Sequence, residues 1–327
     1  MNKMLRLVIV AAVAFLIFKS STFGWRIFAG AKPISKDVDI FLSQRLKHHV
    51  LSLSDHIGER NIITKYENLD KAANYITKTF QDYGYQVSAH TYKAYNKISK
   101  NIIASKAGKD IRLGTLLIGA HYDTVLGSPG ADDNASGVAV LLEIAKFLKD
   151  FETKQSIKFV AFVNEEPPFF KTKDMGSLNF VNECLKNKEQ IKEAVILESV
   201  GFYSSQLYSQ RYPPLFGFFY PVRANFIAFV SNFKSRFLLK ALKHKFIKHS
   251  TLNLETISTF DFVPGVDFSD NWSFWQKDIP AIMVTDTAFY RSPYYHTAND
   301  TAEKLDYDFM TVLTKDLGVS VLDLVNK

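Results

Sequence analysis

Cysteine is nearly absent from this chain: Cys184 is the only one in 327 residues. An internal disulfide framework and a cysteine-based zinc finger are therefore excluded, and any bound metal must be held by histidine and carboxylates. Glycine and proline are also sparse, at 15 and 10 residues, which excludes collagen-like and low-complexity sequences. At 47% hydrophobic residues the chain is too rich in core formers to be disordered, and its length fits one large α/β domain or two small ones. Charge of one sign is likewise scarce. The net charge is +7, and Lys3, Arg6, Lys19 and Arg26 supply four of those charges in an acid-free leader. The body is close to neutral and carries no basic stripe with interleaved aromatics, so no nucleic-acid partner is expected. The sequence also lacks an H-E-x-x-H helix, a G-x-S-x-G elbow and a phosphate-binding glycine loop, which removes support for those hydrolase and nucleotide-binding classes.

The single long apolar run is Leu7 to Phe18, preceded by Lys3 and Arg6 and followed by Lys19, Ser20, Ser21 and Thr22. A positive flank before about a dozen apolar residues is the pattern of an export signal, too short to cross a bilayer unaided. No clear small-x-small cleavage site follows, so residues 1–26 read as either a signal peptide or an N-terminal membrane anchor, with membrane contact through that segment. The chain is accordingly expected to be exported or membrane-tethered, at the periplasm or cell surface.

Residues 37–327 read as one body. Val38, Phe41, Leu42, Leu46 and Val50 recur at helical spacing, as do Ala72, Tyr75, Ile76 and Phe80. Strands are expected at Tyr85–Tyr92, Ile98–Ser105, Thr115–Ala120, Ile157–Val163, Ala194–Leu197, Phe226–Val230 and Ala281–Val284. Helices are expected from Ala135, over Asp174–Leu185, and over Tyr307–Val325. This alternation predicts an α/β fold, a three-layer α/β/α sandwich around a mixed, mostly parallel sheet. Lys234, Arg236, Lys240, Lys243, Lys245 and Lys248 lie beside Phe237, Leu238, Ala241, Leu242 and Phe246, which suits a solvated face over a core stripe better than a membrane-surface helix. Trp272, Phe274 and Trp275 read as core rather than as a substrate pocket, while Asp267 and Asp270 are candidates to meet a substrate amine.

Sites in such sheets lie beyond the C-terminal ends of the strands. Those ends carry His121 and Asp123, Asp132 and Asp133, Glu165 and Glu166, Glu198, and His296. Imidazole nitrogen and carboxylate oxygen suit zinc, with cobalt or manganese as substitutes. Two histidines and several carboxylates suffice for two ions if one carboxylate bridges, an arrangement that can hold a hydroxide and polarise a carbonyl. In the Glu165–Glu166 pair, one side chain can bind metal while its neighbour serves as the base.

The segments Gly119-Ala120-His121-Tyr122-Asp123, Gly130-Ala131-Asp132-Asp133-Asn134-Ala135-Ser136-Gly137, Asn164-Glu165-Glu166 and Tyr295-His296-Thr297 occur in one order. In that order they resemble the co-catalytic zinc aminopeptidases, whose relatives include bacterial leucyl aminopeptidase, the Streptomyces-type aminopeptidase, glutamate carboxypeptidase and the glutaminyl cyclases. The resemblance runs from about Lys71 to Asp306. It implies two zinc ions, with His121 on one, Glu166 and His296 on the other, and Asp132 bridging them. It further implies Glu165 as general base, Asp123 as the carboxylate orienting His121, and a cis peptide at Asp132–Asp133. Glu198 stands where many members have Asp and is kept as the fifth ligand. Asp300 either orients a neighbouring group or caps a turn. The expected activity is hydrolysis of a peptide or aminoacyl substrate by a zinc exopeptidase, most simply an aminopeptidase. The alternatives are a one-zinc, glutaminyl-cyclase-like acyltransferase and a non-catalytic ectodomain. The segments Asn164–Phe170 and Ser269–Trp275 resemble a poorly characterised bacterial subgroup.

Overall fold

The structure, a computed structural model, describes residues 38–214 and 216–327. The expected export segment lies outside them. Among the described residues, eight strands form one sheet in the order β1-β2-β4-β3-β5-β8-β6-β7. These are β1 (Val87–Ala94), β2 (Lys97–Lys106), β3 (Thr115–His121), β4 (Ser156–Phe162), β5 (Ile191–Glu198), β6 (Ile227–Asn232), β7 (Leu254–Thr259) and β8 (Ala281–Thr285). The four central strands β4, β3, β5 and β8 run parallel, whereas β1–β2, β2–β4 and β6–β8 pair antiparallel. The sheet is thus mixed, with a parallel centre.

Alternate residues along the strands feed two cores. On one face Leu116, Ile118, Phe159, Val195, Leu197, Phe229 and Val284 pack under α1 (Ile40–Leu51), α2 (Tyr66–Asp82), α3 (Gly137–Lys149), α5 (Arg236–His249) and α7 (Tyr307–Val325). On the other, Leu117, Val160, Phe162, Ile196, Val230 and Met283 pack under α4 (Gly176–Lys186) and α6 (Asn271–Trp275). Helices on both faces complete the three layers expected from the sequence. Among the described residues, no helix is long and apolar enough to cross a membrane.

The apolar stripes explain the helices. In α1, Leu42, Leu46 and Val50 are buried, while Phe41, counted with them in the sequence pattern, is 75% exposed. In α5, Leu238, Leu239, Leu242 and Phe246 are buried and Lys240 is exposed, so the basic series is the solvated side of a packing helix. Phe274 and Trp275 belong to the second core, where the Trp275 indole donates to the Ala281 carbonyl at 3.0 Å. Cys184 is buried in the same core. Strand β7 has no counterpart in the sequence reading, because LETIST at a sheet edge carries charge and hydroxyls rather than an apolar run.

Chain order reverses at β3, which has β4 on one side and β5 on the other, both parallel to it. A crevice opens at the C-terminal ends of the strands where such a reversal occurs. His121 is the last residue of β3 and Glu198 the last of β5.

Candidate metal centre and active site

His121 is fully buried at the end of β3. Its Nδ1 lies 3.2 Å from the Asp123 carbonyl, and a proton donated there leaves the Nε2 lone pair aimed into the crevice. Nε2 sits 3.2 Å from Asp133 Oδ1 and 3.3 Å from Glu198 Oε2. Across the crevice, His296 Nε2 lies 3.1 Å from Asp133 Oδ2 and 3.1 Å from Glu166 Oε2. Two ligand groups, His121–Asp133–Glu198 and Asp133–Glu166–His296, therefore share one carboxylate.

That carboxylate is Asp133, which corrects the assignment of the bridge to Asp132. The reason lies in the backbone of the loop before α3. The Asp300 carboxylate accepts both the Asp132 and the Asp133 amides, at 2.9 and 3.1 Å, and the cis peptide is Asp133–Asn134 rather than Asp132–Asp133. Asp133 and Asn134 have non-helical φ/ψ, which turns the Asp133 side chain toward the imidazoles. Asp132 points elsewhere, accepting from the Gly201 amide at 2.8 Å. Asn134 then ties the loop to β5: its Nδ2 donates to the Leu197 carbonyl, and its Oδ1 accepts from the Gly137 and Ser199 amides. Gly137 is required here, since a Cβ would collide with the Asn134 side chain and the Leu197 carbonyl. Of the two roles open to Asp300, the structure shows the orienting one.

Asp123 has a second role besides the expected one. Its carboxylate lies 3.6 Å from His121 Nδ1, at ion-pair distance, and also accepts from the Glu165 and Glu166 amides at 3.1 Å each. Its carbonyl serves the imidazole and its carboxylate fixes the two glutamates. Asn164, just before them, has φ +57°, a left-handed conformation that Asn tolerates better than most side chains. Its amide donates to Tyr92 Oη and Ser99 Oγ. Glu165 Oε2 sits 3.9 Å from His121 Nε2, outside both ligand groups.

Three further residues support the site, none of which was given a role from the sequence. Ser269 Oγ donates to Glu198 Oε2 at 2.7 Å, fixing that carboxylate. Tyr295 stacks on His296, with ring centroids 3.8 Å apart. Arg60, fully buried, donates to the carbonyls of Tyr122, Pro129 and Gly130 and so ties together the loops that carry His121 and Asp133. Of the two candidates for a substrate amine, Asp267 is paired with Lys171 at 2.5 Å, and Asp270 is fully buried.

The electrostatics call for cations. Burial alone would raise the Asp133 carboxyl, yet the flanking imidazoles hold it below the usual carboxylate range. Burial and the Asp133 charge push Glu166 up to about 8, and burial raises Glu165 well above its ordinary value. Burial disfavours charge on His296, but Asp133 and Glu166 outweigh it and lift that imidazole to about 10. His121 Nε2, His296 Nε2, Asp133 Oδ2 and Glu166 Oε1 are buried without a hydrogen-bond partner. Buried groups of this kind are normally satisfied, and these orphans all face the shared centre. The donor set of imidazole nitrogen and carboxylate oxygen is one that zinc accepts.

A family model for peptidase family M28 matches residues 101–317, which span every one of these ligand positions. The chain belongs to peptidase family M28. This M28 protein is therefore a hydrolase by family. It is 39% identical over 253 residues to the uncharacterized protein YfbL of Escherichia coli (strain K12), covering 75% of this chain and 77% of that one. Aminopeptidase YwaD of Bacillus subtilis (strain 168) is 46% identical over 110 residues, which are 32% of this chain but only 23% of that relative. Among solved structures, BSAP, a zinc aminopeptidase from Bacillus subtilis, superposes with a TM-score of 0.70 at 16% identity, over 90% of this chain and 97% of that one. At that identity the likeness is one of fold.

Proposed function

We propose that this M28 protein is a zinc-dependent exopeptidase of the aminopeptidase type, acting on peptide or aminoacyl substrates. The observation that carries the reading is the pair of ligand groups sharing Asp133, with Glu165 beside them and bound to neither. His121, Asp133 and Glu198 would hold one zinc ion, and Asp133, Glu166 and His296 the other. Ions so placed supply Lewis-acid activation of water and of the scissile carbonyl. Glu165 then takes the proton of the attacking water and returns it to the leaving amine. Its raised affinity for a proton, caused chiefly by burial, suits a group that must hold the proton between the two steps. Asp123 supports this by fixing the amides of Glu165 and Glu166. His296 retains 29% side-chain exposure while His121 has none, so substrate enters from the His296 side.

Lys3 and Arg6 before the Leu7–Phe18 run support an exported or membrane-tethered location for the enzyme.

The test is metal content per chain together with release of aminoacyl-anilides, with and without chelator. Two ions and chelator-sensitive release are expected. Replacing Glu165 with Gln should leave the metal content unchanged while kcat falls by about 10² to 10⁴. A single ion with pyroglutamate formation would replace this reading with a cyclase-like one, and unchanged turnover in the Gln variant would remove Glu165 as the base.

A further inference from the structure

One row of residues crosses the sheet from the metal centre to its edge. In the strand register Glu198 pairs with Thr285, Thr285 with Ala228, and Ala228 with Glu255. Direct cross-strand partners point to the same face, so all four side chains face the second core. Three strand spacings separate the ends of the row by about 14 Å. All four residues line one cavity of about 100 Å³, which has room for several water-sized groups. The cavity walls are apolar, with Val230, Ile257, Val266 and Met283 among them, and the two residues in the middle of the row are small. One carboxylate, Glu198, stands at the metal end. A second, Glu255, stands at the other.

Glu255 has no role in the fold that would explain its position. Its carboxylate makes no hydrogen bond or ion pair among the described residues. The cation that acts on it, Lys243, lies on the opposite face of β7, where its Nζ donates to Thr256 Oγ1 at 3.0 Å. Burial pushes the Glu255 carboxyl up to about 7, a penalty that a cation brought into the cavity would relieve. Beside it, Tyr220 stacks on Tyr212 with centroids 5.7 Å apart, and both rings line the cavity. The Tyr220 hydroxyl donates to the carbonyl of Thr256, the next residue along β7, at 3.3 Å, and the Glu255 charge adds to burial in raising that hydroxyl above its ordinary value. A carboxylate beside aromatic rings at the end of an apolar channel is a cation-recognising arrangement.

Resting on the aminopeptidase reading, we infer that this cavity receives the side chain of the residue being released, and that Glu255 selects a long side chain with an apolar stem and a cationic tip. Lysine and arginine have that form, with stems that the apolar walls cover and a charge that reaches the far carboxylate. Leucine is too short to reach it, and norleucine arrives without the charge.

The experiment measures kcat/KM of the zinc-loaded protein on lysyl-, arginyl-, norleucyl- and leucyl-anilides, for the wild type, Glu255→Gln and Glu255→Lys. The wild type should prefer the lysyl over the norleucyl substrate by about tenfold or more. Glu255→Gln should bring that ratio close to one while changing the norleucyl value by no more than about twofold, and Glu255→Lys should invert it. A parallel measurement compares equilibrium binding of n-pentylamine and 1-pentanol, which need no turnover. The wild type should bind the amine more tightly, and Glu255→Gln should erase the difference. Equal use of lysyl and norleucyl substrates, or a ratio that survives Glu255→Gln, would overturn the inference even with the enzyme active. If no anilide is cleaved, the aminopeptidase reading fails, and the binding comparison still decides for or against Glu255 as a cation site.

Discussion

Asp132 and Asp133 are adjacent acids, both buried, with opposite electrostatic fates. Asp133 is kept ionised by two imidazoles, whereas burial and the charges of Asp286 and Asp300 hold Asp132 well above the usual carboxylate range. Burial raises Asp286 too, but Arg291 and the Phe202 and Ala288 amides that it accepts favour its charged form over that of Asp132. A neutral amide therefore imitates the native state of Asp132 and destroys that of Asp133. Asp133→Asn should lose metal on dialysis, and Asp132→Asn should keep it, as measured by elemental analysis with a thermal melt as the folding control. Retention of both ions by Asp133→Asn would return the bridge to Asp132. At Glu198, the Ser269 hydroxyl does the work of a supporting partner, and such partners typically matter 10- to 100-fold for metal affinity. Ser269→Ala should accordingly weaken one ion and spare the other, giving two separated transitions in a chelator titration where the wild type gives a closer pair.

Helix α3 delivers the bridging loop to the sheet, and its stability depends on how it is tied to its neighbours. Glu143, buried in α3, is held by Arg45 of α1 at 2.8 Å, by His49 of α1 at 3.2 Å and by the Tyr83 hydroxyl beyond the end of α2 at 3.0 Å. Burial disfavours its charge, but His49 and Arg45 prevail and hold it below its ordinary value of 4.5. A carboxylate whose folded value is lowered adds stability that is fully present above the unfolded value and is lost as pH falls through the lower, folded one. The Tm of the wild type should therefore drop on acidification below about pH 4.5, and Glu143→Gln should show a lower Tm at pH 7 with a flatter slope in that acid range. Parallel curves for the two proteins would mean that the three-helix tie carries no ionic contribution. The basic side of α5 shows the opposite case: its lysines sit over Leu238, Leu242 and Phe246 in solvent, where pairs contribute little.

For the whole molecule, the centre is a place where buried acids from the loop after β3, the end of β5, the loop after β4, the loop before α3 and the segment after β8 converge around two imidazoles. A ligand that binds only the folded state stabilises it in proportion to the logarithm of its concentration over its dissociation constant. Chelator should lower the Tm by several degrees, and added zinc should restore it. Because protons compete for His121 and His296, both raised above their ordinary value by the surrounding carboxylates despite burial, the zinc-induced shift in Tm should shrink as pH falls. A zinc shift independent of pH would place the ions elsewhere.

The amino-acid sequence determined the layers of this protein and the inventory of its centre. Apolar periodicity is set by burial, and burial on both faces of a parallel sheet leaves runs such as LLIGA and VILE that can be read directly. His121, Glu165, Glu166 and Glu198 were legible because each follows such a run, and residues at the ends of adjacent parallel strands must meet; His296, well beyond the end of β8, was legible through the Tyr295-His296-Thr297 segment. Tertiary structure alone decided what depends on backbone direction within a loop or on register between distant strands. The choice of Asp133 over Asp132 turns on which of two neighbours a loop points inward, and adjacent residues of one chemical type differ in nothing that periodicity can detect. Ser269 and Arg60 act through contacts with segments far away in the chain. Glu255 lies 57 positions from Glu198. It faces the same cavity only because three strand pairings, none between consecutive strands except β6 and β7, set four residues in one row.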